Sequence, residues 1–364
     1  MRTYTLEHID IEVNHRCNLA CRHCSARVIK GKYPDELSVR QICRILAGAR
    51  QLGLKKAGLT GGEPLIDVPK TERIARFCLD ELRVPVHTHT NGTLVTKQMC
   101  MPGAILSLFE SVSVTFLGGD AETHERMTGI RGSFEESFNG ARLITEACLP
   151  LTCYLIPTRG TCDGFVKLAE RLKTIGATRI RAMALAPSGR ARPIYGQTAP
   201  DEKEWRKFEK DLLHISSCLG LHIEAGNCTR LSMPGLSVLP GHDECMSGVN
   251  RVHINSKGDV FPCTAASGVE ELRLGNLLEK GLQLRGIWLN SELIKQMRLV
   301  RKGRLAACAD CVRSPKCHDS CTVKACGIMS EQERAHCPLV NPGACKTPAE
   351  AWLERRESPC ALVD

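Results

Sequence analysis

At 364 residues, 43% hydrophobic and 24% charged, the chain has globular composition and the length of about two domains, which excludes wholesale disorder and a collagen-like fold. No apolar run approaches the ~18 residues of a membrane span, and charges break the opening Met1–Asp10, so neither membrane nor signal peptide is expected and the expected compartment is the cytoplasm. The formal charge is +9, yet only 8 Phe, 4 Tyr and 3 Trp are present and no basic stripe with interleaved aromatics stands out, so nucleic acid is not an expected partner.

Residues 7–13 alternate apolar and polar, which predicts a first strand. Residues 38–53 place apolar groups at helical spacing behind Ser38, a predicted N-cap. Further strands are predicted at 55–60, 84–90, 111–117, 150–156 and 178–184, with helices near 69–82, 95–109, 135–148 and 164–175. Alternation of this kind predicts a parallel sheet covered by helices. Six units without a clear seventh and eighth predict an open, partial barrel. Near residue 187 the pattern stops, and Pro187-Ser188-Gly189-Arg190 reads as a turn. A charged helix over 200–218 and a short strand over 221–225 follow. The expected organisation is a barrel over 1–190, a linker helix and strand over 191–227, a cysteine-rich domain over 228–345 and a tail over 346–364.

The 21 cysteines are uneven, with 10 in residues 1–227 and 11 in residues 228–364. A reducing compartment keeps few structural disulfides, so cysteines at short regular spacings point to metal or to chemistry. The cysteine-rich part also has a thin apolar core and needs staples.

Cys17-x3-Cys21-x2-Cys24 follows the first strand. Structural zinc takes four ligands and a four-iron cluster has four corners, so three thiolates leave one position open. The alternative is a zinc knuckle completed by His15 or His23. Thr60-Gly61-Gly62-Glu63-Pro64 follows the second strand. Its glycines let backbone approach a ligand closely, and Glu63 can accept bonds from an ammonium group. A plain strand-to-helix turn is the alternative there.

Together these two motifs resemble the radical S-adenosylmethionine (radical SAM) enzymes, over residues 5–190. The resemblance implies a partial (β/α)6 TIM-like barrel and a [4Fe-4S] cluster on Cys17, Cys21 and Cys24, with SAM chelating the open iron. It implies that Gly61, Gly62, Glu63 and Pro64 contact the methionine amino group. It further implies reductive cleavage of SAM to a 5′-deoxyadenosyl radical, which takes a hydrogen atom from a substrate C–H bond. Thr90-Asn91-Gly92 resembles the family's Thr-Asn-Gly and adds Asn91 to the cofactor-binding expectation. Residues 113–134 look like the family's fourth strand and following loop. Thr115 keeps the hydroxyl of the family's Ser-Leu-Asp-Gly, but Leu117 replaces the acid and inherits no role. Arg131 is expected to hold the SAM carboxylate or to be a solvated arginine.

Cys245, Gly258-x4-Cys263, Cys308-x2-Cys311-x5-Cys317-x3-Cys321 and Cys337 resemble the SPASM extension of these enzymes, as does Leu274-Gly275-Asn276. That resemblance implies two auxiliary [4Fe-4S] clusters, three clusters in all. The first would use Cys245, Cys263 and Cys321, the second Cys308, Cys311, Cys317 and Cys337. The fourth ligand of the first is either Cys228 or an open iron. Cys326 and Cys345 are spare alternatives near the second, and bare spacing also allows two zinc ions.

SPASM enzymes mostly act on peptides and proteins, others on aminoglycoside-type sugars or tetrapyrroles. The leading expectation is therefore oxidative modification of a ribosomal peptide or protein side chain. Dehydrogenation or epimerisation of a small molecule is the alternative, and a non-enzymatic iron–sulfur or zinc protein stands as a reading from another class. The cluster motif starts at residue 17, so no fused peptide-recognition domain is expected ahead of it, and a peptide substrate would call for a separate recognition protein. The family reductant is a flavodoxin or ferredoxin. An epimerase needs a thiol hydrogen donor, for which Cys153 and Cys162 beside the fifth strand are candidates. No residue offers itself as the base an oxidation would need.

Overall fold

The structure, a computed structural model, describes residues 4–28, 35–225, 245–300, 321 and 323. Strands β1 (His8–Glu12), β2 (Lys56–Thr60), β3 (Val86–Thr90), β4 (Ser111–Phe116), β5 (Leu151–Leu155) and β6 (Arg179–Ala182) lie side by side in parallel, in chain order. Helices α1 (Val39–Arg50), α2 (Val68–Arg76), α3 (Ala121–Thr128), α4 (Ser133–Glu146) and α5 (Phe165–Thr174) fall between them in sequence. This is the open, helix-covered parallel sheet of a partial barrel.

Local chemistry sets these elements. Ser38 and Gln41 cap α1 reciprocally, each side chain bonding the other's backbone N–H. Ile42, Ile45, Leu46 and Ala49 then fall on one helical face and are buried. The strands split by the two-residue period of extended chain. Ile9, Ile11, Leu59, Val86, Val112, Val114, Phe116, Cys153, Leu155 and Ile180 join the helices in one continuous core. The alternate positions, among them His8, Asp10, His87, His89, Tyr154 and Arg181, line a polar inner face. There the rings of His87 and His89 meet edge-on at 5.4 Å, and those of His89 and Tyr154 at 5.1 Å.

Three differences from expectation have physical causes. The helix expected at 95–109 is two short 3-10 turns, Lys97–Cys100 and Ile105–Leu108. Pro102 and Gly103, with φ +79°, stand between them and break the ladder. The helix expected at 69–82 runs as α2 to Arg76 and widens into a π-turn over Phe77–Glu81. Helix α3 arises where only a loop was expected, capped by Asp120 and closed by Gly129 in the left-handed region.

Beyond β6, a single turn α6 (Tyr195–Thr198) and helix α7 (Glu202–Leu219) lead to β7 (His222–Ala225), which pairs in parallel with β6. At the opposite edge β8 (Arg251–Ile254) pairs in parallel with β1, followed by antiparallel β9 (Asp259–Phe261) and β10 (Gly275–Asn276). The described strands thus form one sheet in the order β10-β9-β8-β1-β2-β3-β4-β5-β6-β7. The C-terminal strands are a direct continuation of the barrel wall. Trp288, fully buried in helix Leu284–Asn290, donates its indole N–H to the Tyr4 carbonyl at 2.9 Å and fixes the same junction. No helix among the described residues is long and apolar enough to cross a membrane.

Candidate active site

The site grows from the carboxyl ends of β1, β2 and β3, where ligands bind in parallel α/β folds. After β1 the chain continues parallel to the Gly61–Glu63 segment, extending the β1–β2 pairing. Gly62 N–H donates to the Asn14 carbonyl at 3.1 Å, Glu63 N–H donates to the Arg16 carbonyl at 2.7 Å, and the Asn14 side chain donates to the Glu63 carbonyl at 3.0 Å. A Cβ on Gly62 would overlap the Arg16 carbonyl, and one on Gly61, at φ +151°, would stand 2.7 Å from the Asn14 carbonyl. Both positions therefore need glycine to let the two loops meet.

Glu63 is fully buried. One carboxylate oxygen accepts from Leu65 N–H at 3.0 Å and the Thr90 hydroxyl at 2.8 Å, and the other accepts from Asn91 N–H at 2.7 Å. Burial nevertheless raises its pKa to about 7, because three neutral donors do not replace bulk hydration of a charge. Pro64 opens the turn that Glu63 caps. The Asn91 side-chain amide donates to Asn18 Oδ1 at 2.9 Å and reaches Cys17 Sγ at 3.8 Å. The structure thus brings Cys17, Glu63 and Asn91, predicted separately on three loops, into one network.

Cys17, Cys21 and Cys24 share a small apolar cluster with Leu19, Val28, Ala26 and Ile130. Burial pushes the Cys17 thiol up to about 11, with further pushes from Glu63 and Cys24, and it raises Cys21 as well. Such thiols ionise only when a metal takes the proton's place. Arg190 holds this loop from behind. Its N–H donates to the Cys24 carbonyl at 2.9 Å, its Nε to the Cys21 carbonyl at 2.8 Å and one Nη to the Val28 carbonyl at 2.9 Å. The second Nη is buried with no partner among the described residues. In the sequence Arg190 reads only as part of a turn; its signal is an arginine set by Gly189 just beyond the sixth strand. The orphaned guanidinium nitrogen fits a group that brings negative charge, as a thiolate-bound cluster does.

Thr115 and Arg131 make no side-chain hydrogen bond or ion pair among the described residues. Thr115 is half-buried on β4, and Arg131 is exposed beside Ile130, which packs on the cysteine loop. Cys153 and Cys162 are buried in the helix-side core, both pushed up to about 12 by burial, and do not open on the polar inner face.

In the C-terminal segment Cys245, Cys263 and Cys321 come together. Burial raises Cys263 to about 12, reinforced by the charges of Cys245 and Cys321. Cys228, Cys308, Cys311, Cys317 and Cys337, with the alternatives Cys326 and Cys345, lie outside the described residues. Neither described cysteine trio gathers its donor atoms within 4.8 Å.

Among the described residues the group that does meet that limit is His8, Asp10 and His87. Asp10 Oδ1 accepts from His8 Nε2 at 3.1 Å and stands 3.3 Å from His87 Nε2. Gly58 of β2 lets them meet, since a Cβ there would strike both Asp10 and His87. The Arg251 guanidinium lies 3.1 Å from His8 Nδ1 and puts a fixed positive charge beside the group. We read it as a hydrogen-bonded cluster and not as a cation site.

The site and fold define an enzyme of the radical SAM type, and the chain belongs to that family: the radical SAM superfamily model matches residues 11–179 and the iron–sulfur cluster-binding SPASM model matches residues 245–312. An AdoMet-dependent heme synthase of Nitratidesulfovibrio vulgaris is 27% identical over 96% of this chain and 93% of its own length. A PqqA peptide cyclase of Granulibacter bethesdensis is 25% identical over 95% and 89%. Among solved structures, Streptococcus suis SuiB bound to its precursor peptide SuiA superposes with a TM-score of 0.65 at 17% identity, covering 89% of this chain and 73% of that one. SuiB bound to S-adenosylmethionine gives 0.59 at 16% identity, and the chain spans 66% of its length.

Proposed function

We propose that this enzyme cleaves S-adenosylmethionine reductively at Cys17, Cys21 and Cys24 and abstracts a hydrogen atom from a substrate on the polar inner face, for an oxidative modification. The observation that carries the reading is the convergence of Cys17, Glu63 and Asn91. When bound, a four-iron cluster supplies the electron that splits SAM into methionine and the 5′-deoxyadenosyl radical. The chain's own residues bind and orient. Glu63, held between neutral and charged forms by burial, is fixed as a carboxylate by an ammonium group placed against it. Gly61, Gly62 and Pro64 let backbone approach that group, and Asn91 orients Glu63 and faces the cysteine loop. Thr115, half-buried on β4, and Arg131, next to Ile130, belong to the same cofactor-binding set in this reading.

Cys245, Cys263 and Cys321 would hold the first auxiliary cluster, with Cys228 or an open iron completing it. Cys308, Cys311, Cys317 and Cys337 would hold the second. A flavodoxin or ferredoxin would supply electrons. Two substrate classes have support. The N. vulgaris relative, alike over 96% of this chain, is named a heme synthase, which favours a tetrapyrrole. The G. bethesdensis relative, alike over 95%, is named a peptide cyclase, which favours a peptide, presented directly or by a separate recognition protein. The test is anaerobic 5′-deoxyadenosine formation with dithionite, with a heme-precursor tetrapyrrole or a short peptide added. A substrate of the right class raises turnover above the substrate-free rate. Equal rates with both additions and with none would reject both classes.

A further inference from the structure

β1 carries two acids on its inner face, and the C-terminal segment engages both. Glu12, 3% exposed, accepts from His253 Nε2 at 3.1 Å, from the Ser267 hydroxyl at 3.2 Å and from Ser256 N–H at 3.1 Å. His15 Nδ1 stands 3.9 Å from it. Asp10 accepts from the Thr264 hydroxyl at 3.4 Å. These donors sit on β8, on the turn after it and at the two ends of the short turn that Cys263 opens. Immediately beyond, Gly268 turns with φ +76°, and a Cβ there would approach the Ser25 carbonyl, next to Cys24, to 3.2 Å. The turn from Cys263 to Gly268 is therefore hydrogen-bonded to β1 at two points and lies close against the cysteine loop at a third.

A buried carboxylate costs several kcal/mol unless its lone pairs are filled. Glu12 is filled, and nearly all its donors come from residues more than two hundred positions away. The same side chain stands five residues before Cys17, at the end of the strand that leads into the cysteine loop. An acid spent only on closing β1 against β8 would need His253 alone. The bond from Ser256 ties down the turn after β8, and the bond from Ser267 ties down the cysteine-bearing turn as well.

We propose that Glu12 is a positioning residue that clamps the Cys263 turn to β1 and so sets the place of the first auxiliary cluster relative to the SAM-binding cysteines. The proposal rests on the reading of Cys263 as a cluster ligand.

The test uses the full chain in two forms. In reconstituted protein carrying Cys17→Ala, Cys21→Ala and Cys24→Ala, the reduced auxiliary clusters are read by electron paramagnetic resonance and redox titration. In the apo-protein, deuterium uptake is read on the peptide covering 263–268. Glu12→Gln is expected to shift the spectrum and the midpoint potential and to speed exchange of that peptide about tenfold, the cost of one lost charged hydrogen bond. Ser267→Ala loosens the clamp from its other end and serves if Glu12→Gln does not fold. Thr88→Val is the control, since buried Thr88 donates to the Leu59 carbonyl at 2.8 Å, away from the turn. Unchanged spectrum and exchange in Glu12→Gln and Ser267→Ala, or equal changes in Thr88→Val, overturn the clamp. Cys263→Ala with unchanged iron content and spectrum overturns the ligand reading and the proposal with it. Loss of that signal in Cys263→Ala, with Glu12→Gln like the parent, overturns the clamp alone.

Discussion

Glu12 ends β1 and Glu63 follows the neighbouring β2; both are buried carboxylates, and their surroundings drive them in opposite directions. Burial raises both, but the imidazoles of His15 and His253 and the Ser256 N–H bring Glu12 down to about 2, while Glu63 has only neutral hydroxyl and backbone donors and stays near 7. Folded Glu63 keeps its proton up to about pH 7, whereas an ordinary glutamate loses it near 4.5. The folded state thus binds more protons across that window, and stability falls as pH rises through it, by about 3 kcal/mol in total. In the apo-protein, the melting temperature of Glu63→Gln minus that of the parent should therefore climb from pH 4.5 to pH 7. A difference that stays flat with pH would contradict the placement of Glu63.

Gly62 makes a second prediction at this scale. Its Cα faces the Arg16 carbonyl with no room for a methyl group. Gly62→Ala should cost about 2–3 kcal/mol in the apo-protein and part the loop from Cys17, weakening SAM binding measured by equilibrium dialysis. Parent-like stability and binding would show that the two loops do not meet as described. The sequence announced Gly62 and Glu63 through a motif, because contact with a ligand constrains residue type locally. It did not announce Arg190, whose partners Cys21, Cys24 and Val28 lie more than 160 positions away.

At the scale of elements, the six barrel strands were legible because each buries one face under helices, which writes a two-residue alternation into the chain. Helix α3, with the sequence AETHERMT, was not legible. It buries only His124, Met127 and Thr128, so its apolar stripe is too thin to register, and its caps decide it. The span 95–109 misled for the opposite reason: its apolar spacing is helical while Pro102 and Gly103 forbid the helix. Pairing of β8 with β1, some 240 residues apart, has no local signature at all. Trp288 tests that junction. It packs under Arg298, whose guanidinium lies 4.1 Å from its ring and 4.2 Å from that of Tyr4. Trp288→Ala should cost about 3–5 kcal/mol and lower the melting temperature of the whole sheet. Loss confined to the C-terminal segment, with β1–β6 melting as in the parent, would contradict a shared wall.

At the scale of the molecule, one sheet carries both the radical SAM region and the start of the SPASM region. The two sets of cysteines are therefore placed by a common framework and not by a flexible tether. β7 and β8 extend that framework at its two edges, so the polar inner face spans from Arg251 past Asp10 and His89 to Arg181 and Glu224. The described strands should unfold together in the apo-protein, as one calorimetric transition; two separate transitions would contradict the common sheet.

The central claim is that Cys17, Cys21 and Cys24 hold a cluster that cleaves SAM. Its most direct test is iron and zinc content after anaerobic reconstitution, with dithionite-driven 5′-deoxyadenosine formation, in the parent and in the variant with all three cysteines changed to Ala. The account predicts about twelve irons in the parent and about eight in the variant, with SAM cleavage in the parent alone. Zinc in place of iron, or a parent with its clusters intact that leaves SAM uncleaved, would contradict it.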